Sequence, residues 1–383
     1  MKIGITKFIA ENIAPSNAKR LAIFNDTKKV CSVDITKMIP TNLGEKLYSI
    51  GLLSDVHCAG NSNGGTATDD GNGRGNIPNG TFFNRALSYF EEQGCLFCCV
   101  SGDLTNIGFY WEADDTEVYL NQFAEYKQIC NLHSNLTVYE LCGNHESYYN
   151  RSITENLDLL QEYTGTPLYY TVSNEASTSP LTEGGNIQNT SISDNDIFIF
   201  VGQAKDTIPM SNEAFAWLET ILESNKNKRC FVFIHSYVDV SDSGNPLGLH
   251  ATPLFTYWGT TNKNAFIGLM TKYKNAILFH GHSHMEFENQ FTVSNANYST
   301  ALGFKSIHIP STAYTRDIST GEIVAEDNGA QGYVCDVYTN HIVLKGYDFQ
   351  NNSVVPIAQY CIGTTLQTIA ANTFTDSTGT ITT

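Results

Sequence analysis

The chain has 383 residues, 41% of them hydrophobic and 11% aromatic, enough apolar material for one large α/β domain or two medium ones. Its formal charge of −17, with only 22 Lys and Arg, argues against non-specific nucleic-acid binding, which needs basic side chains to displace counterions from phosphates. A phosphate-bearing substrate stays open, because bound divalent cations would reverse the sign of the field locally.

Residues 1–45 read as a segment of their own, in which RLAIFNDTKKVCSVDI is a hairpin of two apolar-alternating runs around an Asn-Asp turn. The stretch MKIGITKFIAENIAPSNAKR has no continuous apolar segment after its first lysine, so it does not read as a signal peptide. With no apolar run of membrane-spanning length either, a cytoplasmic protein with no membrane partner is expected. From KLYSIGLLSD (47–55) onward the pattern becomes strand, loop, helix and strand. TFFNRALSYFEEQG (81–94) and DTEVYLNQFAEYKQICNL (115–132) carry apolar residues at helical spacing, and the buried strand candidates CLFCCVSGD and LTVYELCGNHE follow them. CLFC has CxxC spacing without a second pair to complete a thiolate site, so these cysteines read as reduced core thiols.

Further along, DIFIFVG (196–202), RCFVFIHSY (229–237) and NAILFHGHSH (275–284) are strand candidates. NEAFAWLETILES (212–224) and KNAFIGLMTKY (263–273) are helices between them, an alternation that signals βαβ units. After residue 300 the helices stop, and SIHIPST, GYVCDVYTNHIVLKGYDF and VVPIAQYCI read as antiparallel strands. Two segments read as long loops, 59–80 with Arg74 and 238–262 with His250, Tyr257 and Trp258. Arg74 and His250 are the candidate substrate contacts.

Five strand ends carry polar residues that suit one chemistry. Asp55 and His57 end the first strand of this region, and Asp103 the second; Asn144, His145 and Glu146 follow the third. His235 ends a fourth, and His282 and His284 follow a fifth. Two carboxylates, an amide and four imidazoles suit borderline divalent metals and are too rich in nitrogen for Ca²⁺ or Mg²⁺. Seven donors exceed one tetrahedral ion and suit two ions sharing a carboxylate. Glycines at 102, 143 and 281 precede donors, where close approach or an unusual turn is needed.

The ordered set D-x-H, G-D, G-N-H-E, H and G-H-x-H resembles the calcineurin-like metallophosphoesterase superfamily over roughly residues 47–350. That resemblance implies an α/β fold in which two mixed sheets pack as a sandwich flanked by helices. It places Asp55, His57 and His284 on one metal, and Asn144, His235 and His282 on the other, with Asp103 bridging. His145 would contact the phosphate and protonate the leaving oxygen, and Glu146 would orient His145 through a hydrogen bond. The two ions (Mn, Fe or Zn) would turn a bound water into hydroxide near neutral pH. His280, which has no slot in the pattern, reads as a strand residue, and His133 as a solvated one.

The expected organisation is a small β-rich segment (1–45), a metallophosphoesterase domain (46–350) and C-terminal strands or tail (351–383), with assembly possible through the termini. The preferred activity is phosphodiesterase or phosphatase action on small or nucleotide substrates. The alternatives are a nuclease, or a structural or binding component of a larger assembly such as a phage particle, which would make the protein virion-associated.

Overall fold

A computed structural model of the chain describes residues 7–10, 20–25, 28–34, 43–58, 79–106, 116–147, 153–203, 208–238, 254–287, 298–300, 302–315, 330–364, 373–376 and 379–382. Near the N-terminus β1 (Lys7–Ala10), β2 (Arg20–Asn25) and β3 (Lys28–Asp34) form an antiparallel three-stranded sheet. The expected hairpin is β2–β3, whose register closes with Asn25 opposite Lys28.

The body of the protein is two mixed sheets. In the first, β4 (Lys46–Leu53), β5 (Phe97–Val100) and β6 (Thr137–Glu140) run parallel in that order. The helices α1 (Asn79–Glu92) and α2 (Thr116–Leu132) form the crossovers that parallel neighbours require. The helix α3 (Ile153–Thr164) then leads to the second sheet, where β7 (Tyr169–Ser173) and β8 (Asn186–Gln188) form one edge. Next come β9 (Asp196–Val201), α4 (Asn212–Ser224) and β10 (Arg229–Ile234). Two helices, α5 (Leu254–Trp258) and α6 (Thr260–Lys272), lead to β11 (Ala276–His280), and β9, β10 and β11 are parallel neighbours. The edge beyond β11 is β13 (Lys305–His308), followed by the short β12 (Tyr298–Ser299). The chain then returns to the first sheet, where β14 (Gln331–Tyr338), β15 (His341–Asp348) and β16 (Ser353–Gly363) extend it antiparallel from β4. A final hairpin pairs β17 (Thr373–Asp376) with β18 (Gly379–Thr382).

Two expectations change. The strand in SIHIPST, β13, runs parallel to β11 rather than antiparallel, because more than twenty residues separate them and the chain can come back in the same direction. The segment 238–262 is not loop throughout: α5 lies within it, burying Phe255 and Trp258 while Tyr257 stays exposed. Phe255 packs on Phe266 and Trp258 on Phe215, which explains a helical turn in so aromatic a stretch. The segment 153–195, unassigned from the sequence, holds α3, β7 and β8.

Strand side chains alternate between two apolar environments, so the strands read as continuous hydrophobic runs. Phe198, Phe200, Phe231, Phe233, Ile277 and Phe279 face the space between the sheets, where Ile50, Leu52, Phe97, Tyr333, Cys335 and Leu344 meet them from the other side. The register places Phe231 opposite Phe198 and Phe233 opposite Phe200 and Phe279. The rings stack at 4.4, 5.0 and 4.8 Å, each pair worth ~0.5–1.5 kcal/mol beyond its area. The alternate residues Ile199, Val232, Ile234 and Leu278 pack outward against Leu218 and Leu222 of α4 and Phe266 of α6. On the far side Leu53, Cys98 and Val100 meet Phe83, Leu87 and Phe90 of α1 and Phe123 of α2. The order is thus helix, sheet, sheet, helix, as the resemblance implies. Eight described cysteines, among them Cys98, Cys99, Cys230 and Cys335, are buried.

The parallel strands β4, β5, β6, β10 and β11 all leave the two sheets at their C-terminal ends, which bring together the five polar clusters.

Candidate metal centre

Hydrogen bonds between loops set the site before any side chain is considered. The amides of Asp55, His57 and Cys58 donate to the carbonyls of Gly102, Asp103 and Leu104 at 3.0, 3.0 and 2.9 Å, zipping the exit of β4 to that of β5. The amide of Gly281 donates to the carbonyl of His235 at 2.9 Å, joining the exits of β10 and β11. Five site residues adopt left-handed backbone: Asp55 (φ 51°), His57 (47°), Asp103 (51°), His282 (70°) and His284 (56°). Each such conformation costs a non-glycine residue ~1–3 kcal/mol, strain that collects at functional sites and turns these side chains inward.

Two glycines make the close approach possible. A Cβ on Gly281 would lie 1.8 Å from Ser54 Oγ and 2.4 Å from Asp55 Oδ2. One on Gly143 would lie 2.2 Å from Asp103 Oδ1. Both glycines leave room for the carboxylate of a neighbouring strand end.

The side chains converge in two groups that share Asp103. In the first, His284 Nε2 lies 3.0 Å from Asp55 Oδ1 and 3.1 Å from His57 Nε2, and His57 Nε2 is 3.8 Å from Asp103 Oδ2. In the second, His235 Nε2 is 3.1 Å from Asp103 Oδ2, 3.1 Å from His282 Nδ1 and 2.9 Å from Asn144 Oδ1. All seven residues are buried. Donors ~2.0–2.2 Å from a common ion lie ~3–3.5 Å from one another, close to all of these distances but that of His57 to Asp103.

The hydrogen bonds around these groups test whether a cation fits. A carbonyl oxygen accepts only, so His235 Nδ1–H donates to Ser101 O at 2.8 Å and His284 Nδ1–H to Tyr314 O at 3.2 Å. In the neutral rings both Nε2 lone pairs then point into the groups, at other acceptors. Each carboxylate likewise has one oxygen tied down and one aimed inward. Asp55 Oδ2 accepts from Ser54 Oγ (2.6 Å) and the His282 amide (2.9 Å), while its buried Oδ1 accepts no hydrogen bond. Asp103 Oδ1 accepts from the His145 amide at 2.9 Å and Oδ2 faces both groups. Converging lone pairs and carboxylates, out of water, call for positive charge. Burial opposes charge on His235, but Asp103 and then Asp55 outweigh it and push that ring up to about 9. Burial raises Asp55, against His235 and together with Asp103; Asp103 is held well below the usual carboxylate range against its burial by His235, His145 and His57. The residues fit two divalent cations.

His145 lies beside both groups, its Nε2 3.8 Å from Asp103 Oδ2 and its ring edge-on to His57 at 4.5 Å. Glu146 differs from expectation. Its oxygens accept from the amide (2.8 Å) and hydroxyl (2.9 Å) of Thr105 and from the Gly143 amide (2.8 Å), so it joins two loops rather than orienting His145. Burial and then the charge of Asp103 push it up to about 7. Buried His280 bonds Ser306 Oγ at 3.0 Å, outside the groups, and burial lowers it to about 3. His133 is also buried rather than solvated, held by Glu91 and Asn84 at 2.8 and 2.9 Å. Arg74 and His250 lie outside the described residues. Sequence reasoning missed Ser101, Ser311 and Tyr314, which support the donors. No local spacing marks them, because their partners lie far along the chain.

The family model for calcineurin-like phosphoesterases matches residues 48–286, more than half of the chain. The protein belongs to the calcineurin-like phosphoesterase family. Among solved structures, this phosphoesterase is similar to a dimetal phosphatase from Danio rerio, with a TM-score of 0.54 and 15% identity over 84% of this chain and 100% of that one. It is also similar to a purple acid phosphatase from yellow lupin (Lupinus luteus) seeds, with a TM-score of 0.49 and 13% identity over 90% of this chain and 59% of the lupin chain. The likeness to the Danio rerio protein, at 15% identity, speaks for the fold alone. No curated protein sequence matches the phosphoesterase. Among its described residues no helix is long and apolar enough to cross a membrane.

Proposed function

We propose that this metal-dependent phosphoesterase hydrolyses small or nucleotide phosphoesters, as a phosphodiesterase or phosphatase, with His145 as general acid. Asp55, His57 and His284 would hold one divalent ion and Asn144, His235 and His282 the other, with Asp103 shared. The observation that carries this reading is the Asp103 carboxylate, whose Oδ2 faces both donor groups while Oδ1 is fixed by the amide of His145. The pair of ions, when bound, would supply an acidified water and neutralise the phosphoryl oxygens. The chain's own part is to hold them. Seven side chains from five strand ends do so with the tautomers of His235 and His284 and one oxygen of each carboxylate already oriented, which limits reorganisation on binding.

Asp103 Oδ1 anchors the backbone of His145, and the edge-on contact with His57 limits its ring. A histidine in that place can donate a proton to a departing alkoxide near neutral pH. Glu146 ties the β5 and β6 exits together and so sets the distance between Asp103 and the Asn144–His145 pair. The acidic chain favours small or nucleotide substrates over a nucleic-acid polymer.

The test is a panel of phosphomonoesters, phosphodiesters and nucleic acids assayed on metal-reconstituted protein, beside Asp103→Asn. Turnover of small esters that falls at least ~100-fold in Asp103→Asn supports the reading. Undiminished turnover in that variant, or efficient salt-sensitive cleavage of DNA or RNA alone, would overturn it.

A further inference from the structure

The family match ends at residue 286, yet the first donor group is braced from beyond it. The turn Ser311–Tyr314 follows β13. Buried Ser311 donates its hydroxyl to the carbonyl of Asp55 at 2.9 Å and accepts the amides of Ala313 and Tyr314 at 3.0 Å each. The amide of Thr312 donates to Ser54 O at 2.9 Å, so the turn grips the β4 exit at two consecutive carbonyls. At its far end the Tyr314 carbonyl accepts His284 Nδ1–H. The Tyr314 ring lies 4.4 Å from that of His284, and 5.3 Å from that of His57 at an interplanar angle of 30°.

One turn therefore reaches all three donors that belong to the first group alone. It fixes Asp55 by its main chain, His284 by its tautomer and ring plane, and His57 by its ring face. His235 of the second group takes its orientation from Ser101 O, on the exit of β5. The two groups share Asp103 but are braced from different parts of the chain.

We propose that Ser311 and Tyr314 are positioning residues for the first metal site, so that divalent-cation affinity there, and not at the second site, depends on this turn. The inference rests on the ligand assignment proposed above. Its physical basis is pre-organisation: residues behind a ligand hold its lone pair on the ion, and losing one typically weakens binding ~10–100-fold. Without the Ser311 hydroxyl the turn loses the acceptor that folds it, and Asp55 loses the donor at its carbonyl.

The test uses the full chain loaded with Mn²⁺. Titration gives the two affinities, and anomalous scattering from crystals at graded Mn²⁺ gives the occupancy of each site. Ser311→Ala, and Ser311→Cys, which keeps the volume with a weakly bonding thiol, should each weaken the first site about tenfold or more and leave the second within about twofold. Tyr314→Leu keeps the carbonyl and removes the ring, and should weaken the same site alone. The second site in the same molecule separates this effect from general misfolding. Equal losses at both sites, or no loss at either, would overturn the proposal. A wild-type protein that binds fewer than two ions would instead overturn the ligand assignment, and this inference with it.

Discussion

Glu140 closes β6, four residues before Asn144, and lies buried with its Oε2 accepting from Tyr126 Oη at 3.1 Å. Burial pushes its carboxyl up to about 8 from an ordinary 4.5, against the hydrogen bonds of Tyr126 and Thr166. A folded-state pKa above the unfolded one means that the stability linked to this group is fully present below pH 4.5 and is lost as pH rises toward 8. At about 1.4 kcal/mol per unit, that loss is about 3 kcal/mol by pH 7 and reaches a ceiling of about 5 kcal/mol above pH 8. Glu140→Gln removes the titration and keeps an oxygen to accept from Tyr126. The variant should match the wild type near pH 4.5 and exceed it by about 3 kcal/mol at pH 7. Urea unfolding of both proteins at pH 4.5, 6, 7 and 8, with the same Mn²⁺ present, measures the difference; effects of pH on metal binding cancel between them. Parallel stability curves, with no divergence as pH rises, would refute the reasoning.

Two further outcomes are expected. His145→Ala should lower kcat by ~10²–10⁴ for alkyl phosphoesters, whose leaving oxygen needs a proton, and far less for nitrophenyl esters; a series of esters of graded leaving-group pKa reads this, and a uniform loss across it would count against the acid role. Gly281→Ala should press its methyl group into Ser54 Oγ and Asp55 Oδ2. A cost of ~1–3 kcal/mol in urea unfolding, with weaker Mn²⁺ binding at the first site, is expected, whereas unchanged binding would mean that Asp55 tolerates the displacement.

Much of the scaffold was legible because burial on both faces leaves a plain mark. DIFIFVG, RCFVFIHSY and NAILFHGHSH are unbroken apolar runs since Phe198, Phe231 and Phe279 face the other sheet while Ile199, Val232 and Leu278 face helices. The helix α4 was equally plain, with Ala214, Leu218 and Leu222 buried four residues apart and Ser211 capping its start. Left unassigned from the sequence were α3, β7 and β8, of which the two strands span only five and three residues. The direction of β13 was hidden as well, because strand direction depends on where the chain has travelled and not on the residues in the strand.

The same division holds at the site. Chain order and residue type alone brought forward Asp55, His57, Asp103, Asn144, His145, His235, His282 and His284, since a polar residue directly after a buried strand must emerge at the sheet's end. The spacing of His280 also matches His282 and His284, and only the fold separates them: His280 is still in β11 and bonds Ser306, while the next two turn inward on left-handed backbone. Which oxygen of each carboxylate faces inward, which nitrogen of His235 and His284 is turned to the donor groups and that Glu146 binds Thr105 and the Gly143 amide were likewise decided by tertiary contacts. The carbonyls of Ser101 and Tyr314 set the tautomers of His235 and His284, and Ser311 holds the main chain of Asp55 from 256 residues away. Donors can be read from sequence because their chemistry is intrinsic to the side chain. Their aim cannot, because it is set by hydrogen bonds whose partners meet only when the two sheets close.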